Sequence, residues 1–253
     1  MDFGVLIIGD EILSGRRKDV HLARSIELLS ARGLRLAWAR YLGDDRDALS
    51  AVLRQTLAGE DVVFSFGGIG ATPDDHTRQA AAAALGVPTV LHPEAAGLIE
   101  AQMQARWGRA ATPQQLAMGE FPQGAGLIPN PVNRIPGFSL RDHHFVPGFP
   151  QMAHPMVEWV LDTHYAHLHH RDDRVEDALR VYEAPESALV DLMLALEQRH
   201  GVTVFSLPHL GSESTRRHIE LGAKGPAEAV AAAMADMRAE LQRRGHPVED
   251  LPD

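Results

Sequence analysis

Short runs of consecutive apolar residues alternate with segments of helical periodicity along the first half of the chain. Residues 3–9 (FGVLIIG) and 60–68 (EDVVFSFGG) are nearly continuous apolar runs that end in glycine, which is typical of strands buried on both faces. Residues 19–33 and 45–59 instead place apolar side chains at helical spacing before a final glycine. Residues 34–43 return to the alternation of a strand. This order predicts βαβ units and therefore a parallel sheet.

The same rhythm continues with weaker signals as far as residue 165. We predict, in chain order, a helix over 74–86, a strand over 87–92, a broken helix over 93–125, a stretch rich in Pro, Asn and Gly over 126–138, a strand over 143–150 and a helix over 151–165. The complete pattern is that of an α/β fold with three layers, in which helices cover both faces of a mostly parallel sheet.

A polar segment without apolar periodicity, residues 164–174, predicts a linker between two domains. Beyond it we predict strands over 175–184, 202–208 and 214–225 and helices over 185–201 and 226–245. The second of these helices carries an apolar stripe at steps of three and four residues, which would pack on a small sheet. We therefore expect a large domain over residues 1–168 and a small α+β domain over residues 169–253.

Composition narrows the class of protein. The chain has 253 residues, a formal net charge of -10 and no cysteine. The negative charge argues against a sequence-independent nucleic-acid binder, because such a protein needs a surplus of Lys and Arg. Without cysteine there is no disulfide, thiolate zinc site or cysteine nucleophile. The N-terminus lacks a signal-peptide pattern, and no apolar run approaches the ~20 residues of a membrane span. We expect a soluble, cytoplasmic protein that binds neither nucleic acid nor membranes.

The segment FSFGGIGATPDDHT, residues 64–77, carries the first candidate chemistry. Gly67, Gly68 and Gly70 follow a predicted buried strand and precede a predicted helix, at the edge of the sheet where ligands of open α/β folds bind. Glycine lets backbone N–H groups approach an anion, and a helix N-terminus adds partial positive charge. The loop matches neither the Walker A nor the G-x-G-x-x-G pattern. Its alternatives are a phosphate-binding loop or a tight strand–helix turn.

Acidic residues follow three of the predicted strands. They are Asp10 and Glu11, Asp44 and Asp45, and Asp74 and Asp75. Carboxylates beside a phosphate would repel it unless a divalent cation lies between them, and Mg²⁺ commonly binds through one or two carboxylates together with substrate phosphates. Helix capping is the competing explanation, with Asp45 at one helix and Thr72 or Asp74 at another. Three acidic strand ends exceed what capping requires, so we expect an acidic site at this edge of the sheet.

At these residues the sequence resembles the MoaB/Mog molybdopterin-binding domain family, and most closely the N-terminal region of CinA-like competence/damage-inducible proteins. The resemblance spans residues 1–165, and the C-terminal part resembles the segment that follows this domain in CinA-like proteins. It rests on GDEILSG (9–15), LGDD (42–45), GGIGATPDDHT (67–77), IPNPVNRIPGF (128–138) and VPGFP (146–150), in family order.

The resemblance implies that Asp44 and Asp75 act at a nucleotide, pterin and metal site. It also implies that the glycine loop binds phosphate and that the turn from Pro147 to Pro150 closes the pocket. We therefore predict Glu11, Asp44 and Asp75 as catalytic residues, Asp10, Asp44, Asp74 and Asp75 as metal ligands, and Gly67, Gly68, Gly70, Thr72, Thr77, Pro147 and Gly148 as phosphate- or nucleotide-binding residues.

One motif departs from the family. CinA-like proteins continue their first loop with DTN, whereas this chain has DVH at residues 19–21. His21 either takes over a nucleotide contact or is a surface histidine at a helix start. Long CinA-like proteins also carry an amidase domain after the segments that match here, and we expect that activity to be absent.

Several other polar residues have two explanations each. His76 could be a ligand or transfer a proton, and Asn130, Asn133 and Arg134 could contact a base, a pterin or a phosphate. Turn chemistry explains the asparagines equally well. We expect surface positions for His143 and His144, with one of them facing the site as the alternative. For His164, His167, His169 and His170 we expect a solvated linker, with a metal site as the alternative.

The resemblance and the acidic loop together favour one activity and leave two alternatives. The favoured activity is metal-dependent cleavage of a nucleotide pyrophosphate such as ADP-ribose or FAD, with Mg²⁺, Mn²⁺ or Co²⁺. The first alternative is a protein of molybdenum cofactor biosynthesis that binds or adenylylates molybdopterin. The second is a non-catalytic relative that binds a nucleotide. In each case the partner is a small phosphorylated ligand, and the resemblance implies a homo-oligomer, either a dimer or a trimer.

Overall fold

The structure, a computed structural model, describes residues 2–171, 174–211 and 216–251. It divides into two compact units, of which the first ends at His170 and the second begins at Arg171. In chain order the first unit contains β1 (Phe3–Ile8), α1 (Asp10–Leu13), α2 (His21–Ser30), β2 (Leu36–Leu42), α3 (Arg46–Leu57), β3 (Val62–Phe66), α4 (Thr77–Leu85), β4 (Thr89–Leu91), α5 (Pro93–Trp107), α6 (Pro113–Leu116), β5 (Glu120–Pro122), β6 (Gly126–Ile128), β7 (Gly137–Leu140), β8 (His143–Val146) and α7 (Pro150–His164).

A six-stranded sheet forms the centre of the first unit, in the order β2-β1-β3-β8-β7-β6. The strands β2, β1, β3 and β8 are parallel, and β7 and β6 are antiparallel additions at one edge. A separate antiparallel pair joins β4 to β5. Helices pack on both faces of the large sheet, so the predicted three-layer, mostly parallel α/β fold is confirmed.

Strand β1 shows why the apolar runs are continuous. Phe3, Val5 and Ile7 belong to one apolar core with side chains of α2 and α7. Leu6 and Ile8 belong to a second core with side chains of α3 and α4. Since neither face meets water, no position in the strand favours a polar residue. Full burial of each such side chain contributes on the order of 1.5–3 kcal/mol.

The pairing of β1 with β2 depends on one glycine. Gly4 lies in register with Trp38, and a Cβ atom at Gly4 would overlap the indole ring. The indole Nε1 donates a hydrogen bond to Asp61 Oδ2 at 2.9 Å, which fixes the ring in this position. A larger residue at Gly4 would therefore force the two strands apart.

The second unit is a small α+β structure. Its elements are β9 (Arg174–Val181), α8 (Val190–His200), β10 (Thr203–His209), β11 (His218–Pro226), α9 (Ala227–Arg243) and β12 (Val248–Asp250). All strand pairs are antiparallel, in the order β10-β11-β9-β12. The apolar stripe of α9 packs in one core with α8 and the sheet. At 17 residues, α9 is the longest helix in the described ranges, where no helix has the length and apolar character to cross a bilayer.

The structure corrects several predicted boundaries. The helix predicted over 185–201 begins only at Val190, after a 3-10 turn. The stretch predicted as helical over 93–125 ends in β5, and the Pro- and Gly-rich stretch contains β6 and β7. These strands are three or four residues long, too short to show a period of two. Residues 214 and 215, predicted as strand, lie outside the described residues.

Buried hydrogen bonds correct the expectation for His143 and His144. Both side chains are buried at the start of β8, and burial lowers their pKa values to about 4 and about 3. The Tyr165 hydroxyl donates to Asp142 Oδ1 at 2.8 Å, so it accepts the proton of His144 Nε2, also at 2.8 Å. The other ring nitrogen then accepts from Ser139 Oγ at 2.8 Å. Neutral His144 is therefore fully paired inside the unit.

Removal of the Tyr165 hydroxyl should destabilise the first unit. In Tyr165→Phe, the buried Nε2–H of His144 loses its acceptor, which should lower the free energy of unfolding by about 1–3 kcal/mol. Urea denaturation followed by tryptophan fluorescence measures this, because Trp38, Trp107 and Trp159 all lie in the first unit.

Tyr182→Phe is the matched control. Its hydroxyl also donates to a carboxylate, Glu249 Oε2 at 2.6 Å, but at an exposed position of the second unit. This variant should leave the fluorescence transition unchanged. An equal shift in both variants would contradict the role of the buried network.

Candidate functional site

Ten of the predicted site residues line one cavity at the edge of the sheet where the parallel strands end. The cavity has a volume of about 360 Å³ and is formed by the segments that follow β1, β2, β3 and β8. The predicted residues in its wall are Glu11, Asp44, Gly67, Gly68, Gly70, Thr72, Asp74, Asp75, Pro147 and Gly148. The position agrees with the general rule that ligands of open α/β sheets bind at the carboxyl ends of the strands.

The glycine loop closes tightly against its neighbours. Gly67 and Gly68 have φ values of 99° and 69°, a region that L-residues with side chains rarely adopt. A Cβ atom at Gly67 would lie 2.5 Å from the carbonyl oxygen of Ile8, and one at Gly148 would lie 3.4 Å from the Cα of Gly67. The floor of the cavity is therefore backbone, as a loop that binds phosphate through N–H groups requires.

A buried arginine supports this loop from below, and the sequence analysis missed it. Arg78 Nη1 donates to the carbonyl oxygen of Gly70 at 2.7 Å and to that of Ile69. The Arg78 side chain is buried beneath the loop, and burial lowers the pKa of its guanidinium. One sequence signal could have identified Arg78. It lies beside the alanine run of α4, and Ala80, Ala81 and Ala82 are buried on that helix.

The acidic turn after the glycines differs from the predicted helix start. Helix α4 begins at Thr77 and its N-cap residue, His76, makes no side-chain cap, so neither Thr72 nor Asp74 caps it. Instead, Asp75 Oδ2 accepts hydrogen bonds from the backbone N–H of Thr72 at 2.8 Å and from its hydroxyl. A Cβ atom at Gly70 would lie 2.6 Å from Asp75 Oδ2, so glycine is required where the carboxylate crosses the loop.

Two predicted site residues lie outside the cavity wall and support it. Thr77 is fully buried, and its hydroxyl donates to the carbonyl oxygen of Gly67 at 3.1 Å. Asp10 and Asp44 bond each other's backbone: Asp44 Oδ2 accepts from Asp10 N at 2.9 Å, and Asp10 Oδ1 accepts from Asp44 N at 3.3 Å. Asp45 is the N-cap of α3, as the capping explanation expected, with its side chain accepting from Ala48 N at 2.7 Å.

Negative charge is concentrated around Asp44. Burial raises the pKa of Asp44, and the nearby carboxylates of Asp10, Glu11 and Asp74 raise it further, while the hydrogen bond from Asp10 N opposes them. Arg17 brings positive charge to the wall, with its Nη1 3.5 Å from Glu11 Oε1. The acids therefore repel one another, and a bound cation would relieve that repulsion.

The four predicted metal ligands do not form a complete coordination site by themselves. Within residues 2–171, no three of the described His, Asp or Glu side chains bring ligand atoms within 4.8 Å of one another. A structural zinc site needs four converging ligands and does not fit this arrangement. Mg²⁺ fits it, because that ion takes one or two carboxylates and completes its shell with phosphate oxygens and water. Asp44 and Asp75 line the cavity on different loops and offer such carboxylates.

His21 lies behind the cavity, which corrects both explanations given for it. It is a buried residue at the start of α2, whose ring stacks on Phe66 with centroids 4.5 Å apart. Its Nε2 donates to the carbonyl oxygen of Gly148 at 3.2 Å, and its Nδ1 lies 3.2 Å from His154 Nε2. Burial lowers the pKa of both histidines. His21 therefore holds the turn that closes the cavity and does not line it.

Local structure explains Asn130 and corrects part of the predicted linker, because His164 ends α7 and His167 lies in a 3-10 turn. Asn130 is buried, and its side chain bonds Val132 N at 3.0 Å and the carbonyl oxygen of Ile135 at 3.0 Å, as turn chemistry predicts. Neither Asn130 nor His76 lines the cavity, whereas Phe149, which sequence reasoning missed, does. The Arg17 guanidinium lies 5.8 Å from the centre of the Phe149 ring.

Comparison with known proteins shows which family and which relatives the sequence matches. The sequence model of the family described as "Probable molybdopterin binding domain" matches residues 4–167. A CinA-like protein from an Anaeromyxobacter species is 34% identical over 188 residues, which are 72% of this chain and 45% of that protein. A CinA-like protein from Escherichia coli is 32% identical over 228 residues, 88% of this chain and 55% of that protein. The chain thus spans about half the length of these relatives.

A solved structure shares the fold of the first unit. It is the protein CinA from Thermoplasma acidophilum, described as having unknown function. The alignment has a TM-score of 0.57 and 27% sequence identity, and it covers 64% of this chain and 98% of that chain.

Neutralising Asp44 should stabilise the protein in the absence of ligand. Because its pKa is raised in the folded state, ionised Asp44 costs folding free energy above that pKa, and the cost disappears as the pH falls below the ordinary value of 3.8. Asp44→Asn should therefore raise the Tm at pH 7, by about 2–4 °C for each kcal/mol of repulsion removed. The gain should vanish by pH 3.5.

Scanning calorimetry at several pH values, with metal-free buffers, measures this difference. Asp45→Asn is the control, because asparagine caps a helix as well as aspartate does and Asp45 does not line the cavity. A lower Tm for Asp44→Asn at pH 7 would show that the carboxylate is needed for folding and that repulsion is not its main effect.

Proposed function

The chain belongs to the MoaB/Mog family of molybdopterin-binding domains, and from that premise we propose that it hydrolyses the pyrophosphate bond of a nucleotide with the help of a divalent cation. The substrate class is a dinucleotide-like diphosphate such as ADP-ribose or FAD. One observation carries the proposal: a glycine loop suited to phosphate and four carboxylates line the same cavity.

The two features have opposite electrostatic preferences, which only a cation reconciles. Backbone N–H groups of the loop and the N-terminus of α4 favour an anion. The carboxylates of Asp44 and Asp75 disfavour it, and burial beside other acids makes ionised Asp44 costly. Asp44 and Asp75 would hold Mg²⁺, Mn²⁺ or Co²⁺. When bound, such an ion polarises phosphoryl oxygens and lowers the pKa of an attacking water.

The chain's own residues then have distinct roles. Glu11 lies in the wall, with its carboxylate partly exposed and 3.5 Å from Arg17, and it would orient the attacking water and accept its proton. The water oxygen bonds to one phosphorus as the bridging oxygen leaves with the other phosphate. Gly68 and Gly70 would bind the phosphate through the backbone, whereas the N–H of Gly67 donates to the carbonyl oxygen of Val146 at 3.0 Å and so shapes the loop. Phe149 would cover one side of the ligand.

A second function uses the same cavity. The matched family is described by molybdopterin binding, and a protein that binds or adenylylates molybdopterin also needs a phosphate-binding loop and acidic residues. A non-catalytic nucleotide-binding relative would keep the loop without turnover. The proposal of a cytoplasmic dimer or trimer rests on the resemblance to the family.

Substitution of Asp44 or Asp75 should strongly reduce turnover. We expect AMP release from ADP-ribose or FAD that requires Mg²⁺, Mn²⁺ or Co²⁺ and stops with EDTA. Asp44→Asn and Asp75→Asn should each lower kcat by about 100-fold or more, because a charge that stabilises the transition state is lost. In Asp75→Asn the side-chain oxygen can still accept from Thr72 N, so the turn should persist. The measurement is nucleotide release from ADP-ribose, FAD, NAD and ATP.

Asp45→Asn serves again as the control and should keep activity within about two-fold of the wild type, since it caps α3 outside the wall. Absence of turnover on every nucleotide would exclude the pyrophosphatase. Molybdopterin binding, monitored through the fluorescence of the pterin with and without ATP, would then decide between the other two functions.

A further inference from the structure

The second unit brings two histidines and a glutamate together at the adjoining ends of β10 and β11. His209 is in register with His218, and Glu220 lies two residues further along β11, on the same face as His218. His209 Nε2 lies 3.6 Å from Glu220 Oε1, and His218 Nε2 lies 3.8 Å from the same oxygen. Strand pairing therefore sets the spacing of the three side chains.

The protonation state of His218 follows from its neighbours. Its Nδ1 lies 2.8 Å from the carbonyl oxygen of Arg216, which can only accept, so Nδ1 carries the proton. In the neutral ring, Nε2 is then an acceptor. The His218 side chain is only 4% exposed, and Nε2 has no hydrogen-bond partner among the residues that the structure describes. Buried acceptors in proteins are normally paired, so this nitrogen should have a partner that the described residues do not supply.

An ion pair between His209 and Glu220 leaves His218 unexplained. Protonated His209 could pair with Glu220, and that would account for the 3.6 Å contact. It would leave the lone pair of His218 Nε2 facing a carboxylate oxygen at 3.8 Å, which is also an acceptor. Two acceptors facing each other gain nothing unless a cation lies between them. The carbonyl bond to Nδ1 is the contact that commonly orients a metal-binding histidine.

We propose that His209, His218 and Glu220 bind a divalent transition-metal ion of the zinc class. With bonds of about 2.0–2.1 Å, tetrahedral ligand atoms lie roughly 3.3 Å apart. The two distances of 3.6 and 3.8 Å exceed this by a few tenths of an ångström. The His209 ring stacks on the His218 ring with centroids 4.6 Å apart, and because His209 is half-exposed it can rotate out of this stack to direct Nε2 at the ion. Two imidazole nitrogens suit Zn²⁺, Co²⁺ or Ni²⁺ better than Mg²⁺ or Ca²⁺.

Three protein ligands leave a fourth position, and a cavity lies beside it. A space of about 490 Å³ is lined by His209 and His218 together with Val181, Pro185, Glu186 and Arg216. Zinc sites with three protein ligands keep the fourth position for water or another small donor. The cavity gives such a donor access to the metal, so the geometry corresponds to an open site.

Cobalt binding to the full chain tests the proposal. We expect one equivalent of Co²⁺ with the intense visible absorption of four-coordinate cobalt, and its displacement by Zn²⁺. His209→Gln and His218→Gln should each weaken the affinity by at least about 100-fold, since a direct ligand is lost and even loss of a group that only hydrogen-bonds a ligand costs about 10–100-fold. His200→Gln is the matched control, because His200 also contacts a carboxylate of this unit, Asp236 at 3.0 Å, and should leave binding unchanged.

Two further measurements make the result decisive. Zn²⁺ should raise the Tm of the wild type by ligand linkage and leave that of His209→Gln unchanged. His209 is half-exposed, so His209→Gln keeps the test valid even where His218→Gln fails to fold by circular dichroism. Asp44→Asn and Asp75→Asn should retain the cobalt spectrum, which separates this site from the proposed cation of the first unit. No such spectrum in the wild type, or an unchanged one in His209→Gln, would overturn the proposal.

Discussion

The burial of β1 and β3 on both faces is the constraint on which the first unit depends. Every residue of the two strands is buried, and those of β1 are divided between two separate apolar cores. Covering both faces requires helices between successive strands, and right-handed crossovers then keep the strands parallel. The loops that follow parallel strands all lie at the same edge of the sheet. The candidate site follows from this, because four loops with acids and glycines meet there.

The sequence was sufficient for what depends on the strands. Apolar runs located β1 and β3, and the residues directly after them could be assigned to one edge before any contact was known. This explains why Glu11, Asp44 and Asp75 were predicted together and do line one cavity. The predicted helix boundary was wrong where side-chain hydrogen bonds take the place of the backbone hydrogen bonds of a helix. Asp75 bonds Thr72 and builds a turn, so α4 begins later than the periodicity suggests.

The groups that support the site are only weakly indicated by the sequence, because each bonds backbone outside its own helix. Arg78 bonds carbonyls eight and nine residues before it, and His21 bonds the carbonyl of Gly148. Arginine is mostly exposed in proteins and histidine is intermediate, so the burial of these two residues depends on the folded positions of the loops. Each replaces water as the partner of a loop carbonyl. The shape of the cavity is thus fixed by polar contacts behind its wall.

The two candidate cation sites differ in when they can be filled. The acids of the first unit are held apart on separate loops, and burial, together with repulsion from the other acids, raises the pKa of Asp44. A hard cation there gains most of its remaining ligands from phosphate and water, so cation and substrate would bind together. In the second unit, strand register assembles His209, His218 and Glu220 in advance, and a buried nitrogen is already an acceptor. An ion there needs no substrate, and it would be a resident part of that unit.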